Sequence, residues 1–146
     1  MAMKWLILFH VLGAAVWAGG HLIIATTFLP KALRDKNPNL ILDFEKQYEK
    51  IGIPALLLQV VTGIWMALTY VPFNQWWQLS TSHHILLWTK LGLLLGTIGL
   101  AIHARFFLIP KLKPETLPTL AFHIVLVTVL AIMFILTGLS FRFIYF

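Results

Sequence analysis

The sequence predicts an all-α protein, an integral membrane bundle of four antiparallel helices. Three observations carry that prediction. The 146 residues are 60% hydrophobic and only 11% charged, where a soluble domain has about 45–50% and about 25%. Four apolar stretches each approach the ~20 residues that a helix needs to cross a bilayer. Between them the chain turns abruptly polar, with prolines at the edges. A soluble four-helix protein would need polar helix faces, and these are nearly absent. The reading is one transmembrane domain over 1–146, with helices at about 3–29, 51–71, 84–109 and 119–142.

The first helix is the run Trp5 to Leu29, with no charge between Lys4 and Lys31. It exceeds the 7–15-residue core of a signal peptide and is read as a retained helix. His10 and His21 lie within it, eleven residues apart. At roughly 100° per residue they return to within about 20° of one face. Ala14, Trp17, Ile24 and Phe28 fall on or near that stripe. An ionisable side chain in hydrocarbon is costly, so it points inward by default and marks a site.

From Lys31 to Lys50 the chain is polar, with a turn at Pro38 and Asn39. Leu40, Phe44, Tyr48 and Ile51 have helical spacing, which predicts a short amphipathic helix on the membrane surface. The second membrane helix starts near Ile51, with Pro54 in its first turn. Gln59, Gly63, Met66 and Tyr70 share one face, with Thr62 beside it. The loop from Pro72 to Ser82 has no Lys or Arg, and Trp76 and Trp77 serve as interfacial anchors. The third helix carries Gly92, Gly96, Gly99 and His103 along one stripe and ends at Pro110. Lys90 lies roughly opposite His103 and either snorkels or meets an anionic group. The fourth helix follows Pro118, with His123 near its start. Each half is a histidine-bearing helix pair joined through a basic loop and a proline, a likeness too slight to count as a repeat.

The net charge is +6. Nucleic acid is excluded as a partner, because the basic residues gather in loops, where they set membrane orientation. Lys31, Arg34, Lys36, Lys46, Lys50, Lys111 and Lys113 lie on one side, and Lys4 and Arg142 on the other. The expected setting is a bacterial inner membrane, with lipid as the first partner and both termini periplasmic. With no cysteine, thiolate metal sites and cysteine-ligated iron–sulfur clusters are excluded.

Depth then sorts the histidines. At 1.5 Å per residue, His21, His103 and His123 lie about 13, 10 and 8 Å from the basic-loop end. His10 lies about 10 Å below the opposite surface, near His83 and His84. The expectation is an inner-half cluster of His21, His103 and His123, with a looser group of His10 and His84 or His83. Imidazole suits haem iron, copper and zinc alike, and helix bundles build such sites from facing side chains. Against this, each histidine can simply hydrogen-bond a carbonyl or hydroxyl. Gly96 and Gly99 admit either a flat macrocycle or a packed helix, including a second copy of the chain. Trp17 supplies an apolar wall to a site or to the core, and Gln59 a hydrogen bond.

The run Phe9-His10-Val11-Leu12-Gly13-Ala14-Ala15-Val16-Trp17-Ala18-Gly19-Gly20-His21, with Leu29-Pro30, resembles the opening helix of CopD-family membrane proteins. Tyr48-Glu49-Lys50-Ile51-Gly52-Ile53-Pro54-Ala55, Gln59-Val60-Val61-Thr62-Gly63 and Trp88-Thr89-Lys90-Leu91-Gly92 with His103 resemble its short, stand-alone members. That resemblance implies copper uptake or resistance at the bacterial inner membrane. A more distant one is to the HemJ family of four-helix protoporphyrinogen oxidases, which implies haem b. His10, Trp17, Gly20 and Lys90 match its pattern, but its leucine-proline-arginine motif soon after the glycine is replaced by His21-Leu22-Ile23-Ile24.

Soft Cu(I) pathways use Met and Cys. Here only Met66 and Met133 lie deep in the helices and Cys is absent. The leading expectation is therefore b-type haem held axially by histidines, passing electrons between a membrane quinol or a periplasmic redox protein and the haem. The alternatives are copper binding or transport and HemJ-like porphyrinogen oxidation. An oxidoreductase activity stays open.

Overall fold

The computed structural model describes residues 2–78 and 82–143, and their regular structure is helical. Residues 79–81 of the Pro72–Ser82 loop lie outside this set. The spans Met3–Asp35, Asn39–Tyr70, Ser82–Lys111 and Leu117–Phe141 are long and apolar enough to cross a membrane. The architecture is an antiparallel four-helix membrane bundle.

Helix α1 (Ala2–Ile23) passes through a π turn (Ile24–Phe28) into a short α2 (Leu29–Asp35). The cause is Pro30. It has no N–H for the carbonyl of Thr26, and its ring would strike that oxygen in a regular helix. The ladder widens by one residue, and Leu29 N–H bonds Ile24 O instead. Helix α2 ends at Lys36, whose φ of 48° is left-handed. Lys36 N–H reaches Leu33 O and Asn37 N–H reaches Ala32 O, the two bonds of a Schellman cap without its usual glycine.

Helix α3 (Asn39–Tyr70) is one rod of 32 residues, about 48 Å long. This corrects the expected surface helix followed by a new start near Ile51. Pro54 lies inside α3, not in its first turn. The amphipathic segment packs against protein rather than along the membrane surface. Phe44 meets Phe28 at 4.8 Å and Tyr48 at 5.5 Å, and Ile41 is 2% exposed. That burial against α1 and α2 keeps the helix in line.

A 3₁₀ turn (Phe73–Gln75) follows Pro72. Trp76 Nε1–H donates to Val71 O, and Trp88 Nε1–H donates to Trp76 O, both at 2.8 Å. Helix α4 (Ser82–His103) passes through a second π turn (Ala104–Leu108), again just before a proline, Pro110. Helix α5 (Leu117–Phe143) closes the bundle.

Helix α1 is central, packed on both α3 and α5, while α4 packs on α5. Gly13 allows the close approach to α3: a Cβ there would stand 2.9 Å from Ala55 O. One apolar core fills the basic-loop end around Ile24, Leu29, Ala32, Ile41, Leu117 and Ile124. A smaller one at mid-bundle holds Trp17, Ala18, Val127 and Ala131.

The two halves repeat one another. The π turns stand 80 positions apart, as do Pro30 and Pro110. The returning helices match at a spacing of 75, where Thr62-Gly63 of α3 answers Thr137-Gly138 of α5. Thr62 Oγ1 donates to Leu58 O at 2.6 Å with Gln59 O at 3.3 Å; Thr137 Oγ1 donates to Met133 O at 2.8 Å with Phe134 O at 3.0 Å. The difference in spacing falls in the connection at the basic-loop end. Both leading helices, α1 and α4, run toward that end, so the repeat is parallel, with its axis along the membrane normal.

Candidate functional site

The structure brings His103 and His123 together. His103 closes α4 just before the π turn, and His123 stands early in α5, which runs the opposite way. Their rings stack at 4.9 Å and 20°, and His103 Nδ1 lies 2.9 Å from His123 Nε2. The protons can be assigned by elimination. Thr119 O can only accept, so His123 Nδ1–H donates to it at 3.0 Å. His123 Nε2 then carries a lone pair, and His103 Nδ1–H donates to that. His103 Nε2 is left bare. Phe107 stacks on the far side of His103 at 5.6 Å. The pair is on the flank of the bundle: His103 is exposed and His123 half-buried.

His21 shares their depth but turns elsewhere. Its Nδ1–H donates to Trp17 O at 2.8 Å, and its ring lies between Trp17 at 4.8 Å and Tyr48 at 6.1 Å. Tyr48 fixes this corner. Its hydroxyl reaches Val16 O at 3.1 Å and Trp17 O at 3.0 Å, and its ring occupies the space a Cβ at Gly20 would need. Thr128 Oγ1 donates to His21 O from α5 at 3.2 Å. The expected three-histidine cluster is thus a pair plus a separate His21. Among the described residues no group of three or more His, Cys, Asp or Glu is placed to hold a metal.

In the half of the bundle nearer the termini, His10 Nδ1 lies 3.0 Å from both Gln59 O and Thr62 Oγ1. Thr62 spends its own proton on Leu58 O, so His10 Nδ1–H is the shared donor and Nε2 is the bare nitrogen. Lys90 Nζ sits 5.2 Å over the Phe141 ring. His84 is buried near the start of α4. Trp17 is 5% exposed, edge-on to Phe134 at 6.1 Å, and belongs to the mid-bundle core. Gly96 and Gly99 face outward with His103. A Cβ at Gly99 would meet nothing within 4 Å, and one at Gly96 only Leu130 at 3.9 Å. They form an open flank rather than an interior groove.

Sequence reasoning missed Tyr48 as a site residue, and with it the contact between Arg105 and Glu49 at 3.0 Å. The signal for Tyr48 was its glycine partners, Gly20 and Gly52, against both of which its ring packs.

Chemically, the His103–His123 pair offers two imidazole nitrogens to one ion. Bonds of about 2.0 Å from nitrogens 2.9 Å apart would subtend roughly 90° at the metal. A modest ring shift opens that to the angles Cu or Zn accept, and imidazole suits copper. The backbone bond at His123 Nδ1 is the usual device for aiming Nε2 at a metal.

The family model for CopD, copper resistance protein D, matches residues 42–141. No curated protein and no solved structure gives a significant match. With that match over most of its length and four membrane-length helices around it, the chain belongs to the CopD (copper resistance protein D) family of multi-pass membrane proteins.

Proposed function

We propose that this chain handles copper in the bacterial inner membrane, with both termini periplasmic and with His103 and His123 as paired imidazole ligands. The observation that carries the reading is the 2.9 Å approach of two imidazole nitrogens at the basic-loop end of α4 and α5. Copper is the cargo. His123, anchored to Thr119 O, is the fixed ligand. His103 shifts its proton from Nδ1 to its bare Nε2, staying neutral, and turns the freed Nδ1 lone pair to the ion. The open flank at His103 leaves its ring room to turn.

The family match favours copper over haem b, and His21 stands apart from the His103–His123 pair. Copper is therefore the reading carried forward, with histidine-held haem b in electron transfer with a quinol as the alternative that the test separates. The test is titration of metal-free protein with Cu(I) against a competing chelator, beside absorbance spectra before and after dithionite. One equivalent of copper should bind wild type and be lost in the His103→Ala/His123→Ala double variant. Unchanged copper affinity in that variant, or a reduced haem spectrum from the purified protein, would overturn the proposal.

A further inference from the structure

We infer that the His103–His123 pair takes its copper as Cu(I), and that Phe107 is the residue that keeps Zn(II) and Cu(II) out. The inference rests on the copper reading and names the ion that the same pair selects.

The supply of donors makes the first argument. The pair offers two nitrogens, 2.9 Å apart. One turn to either side of the two histidines stand Gly99, Phe107, Thr119 and Val127, none with an imidazole, carboxylate or sulfur. Thr119 O is already taken by His123 Nδ1–H. Arg105, two residues on from His103, holds Glu49 at 3.0 Å, so that carboxylate has its own counter-charge. Among the described residues no third His, Cys, Asp or Glu joins the pair. Zn(II) is almost always four-coordinate, and Cu(II) prefers a tetragonal set of N and O donors. Cu(I), a closed-shell ion, is satisfied by two or three. Thiolate is a softer match to it than imidazole, but here the shortage of donors decides.

The surroundings make the second argument. Water normally fills the empty positions around a divalent ion. Phe106, Phe107 and Phe122 are 68%, 59% and 65% exposed on helices of membrane-spanning length. The flank around the pair therefore faces lipid, and hydrocarbon has no ligand to give. Both rings stay neutral when His103 moves its proton to Nε2, so they leave the charge of the ion uncompensated. The cost of a charge in a low dielectric rises with its square, which weighs far more on a divalent ion than on a monovalent one.

The placing of Phe107 makes the third. Its ring stacks on His103 at 5.6 Å and 20°, because the π turn brings position 107 back over position 103. A donor at that place would complete two ligands four residues apart, the spacing with which a helix grips zinc. Phenylalanine there supplies no donor and screens the pair from water.

The test uses full-length, metal-free protein in nanodiscs of neutral phospholipid, which keep hydrocarbon on the flank. Cu(I), Cu(II) and Zn(II) are titrated separately, each against a competing chelator. Wild type should take one equivalent of Cu(I) and bind Zn(II) and Cu(II) at least about 100-fold more weakly. Phe107→His should gain at least about tenfold in Zn(II) affinity, and Phe107→Leu, which adds no donor, should gain none. Position 107 is exposed, so both variants should fold. Zn(II) or Cu(II) held by wild type as tightly as Cu(I) overturns the inference and leaves the copper reading of the pair standing. So does Phe107→His with no gain in Zn(II) affinity. Wild type that binds no Cu(I) overturns both.

Discussion

The ring of Tyr48 lies where a side chain at Gly20 would begin, so α1 and α3 meet through one aromatic and one glycine. Gly20→Ala forces either the ring or the helix to move. Overpacking of this kind costs about 1–3 kcal/mol. Gly19→Ala is the control, because a Cβ there meets nothing within 4 Å, and it should be neutral or stabilising by up to about 1 kcal/mol through helix propensity. Thermal unfolding of both variants in detergent checks the contrast.

Tyr48→Phe keeps the ring and removes the hydroxyl that reaches Val16 O and Trp17 O. Hydrogen bonds of this kind contribute about 0.5–1.5 kcal/mol, at the lower end of that range in membrane proteins. The expected loss is therefore about 0.5–1 kcal/mol. The ring of His21, 6.1 Å away, loses its rigid wall as well. Histidine ring resonances should broaden for His21 and stay unchanged for His103.

Lys36 holds a left-handed backbone, φ 48°, at the end of α2. An L-residue there costs roughly 1–2 kcal/mol that glycine avoids. Lys36→Gly should raise the unfolding midpoint by the equivalent of about 1 kcal/mol. A lowered midpoint would show that the Lys36 side chain matters more than its backbone.

Arg105 and Glu49 join the second π turn to α3 at 3.0 Å, but their side chains are 52% and 32% exposed. Screening leaves such pairs about 0–1 kcal/mol. Arg105→Gln should therefore change stability by less than about 1 kcal/mol, with the difference fading in high salt. A larger, salt-independent loss would mark the contact as part of the bundle's closure.

Depth was legible in the sequence and azimuth was not. Counting residues from Pro110 and Pro118 placed His103 and His123 at one level, and there they touch. The same counting put His21 beside them, yet its ring faces Tyr48. These helices are apolar on every side, so no polar stripe separates inside from outside. The stripe of Gly96, Gly99 and His103 consequently read as either a cofactor groove or a packing face, and it lies outward. The join of Leu40–Lys50 to the second span hid behind its charges, because long side chains reach water while Ile41, Phe44 and Tyr48 pack inward. The repeat was masked by unequal connections, which shift the match from 80 positions in the leading helices to 75 in the returning ones.

The most direct test of the central claim is X-ray absorption at the copper edge on the copper-loaded protein. Two nitrogen scatterers near 2.0 Å with the outer-shell pattern of imidazole are expected, and both should disappear in His103→Ala/His123→Ala. A copper shell that survives that double change, or one made of sulfur or oxygen alone, would contradict the assignment of this pair as the copper site.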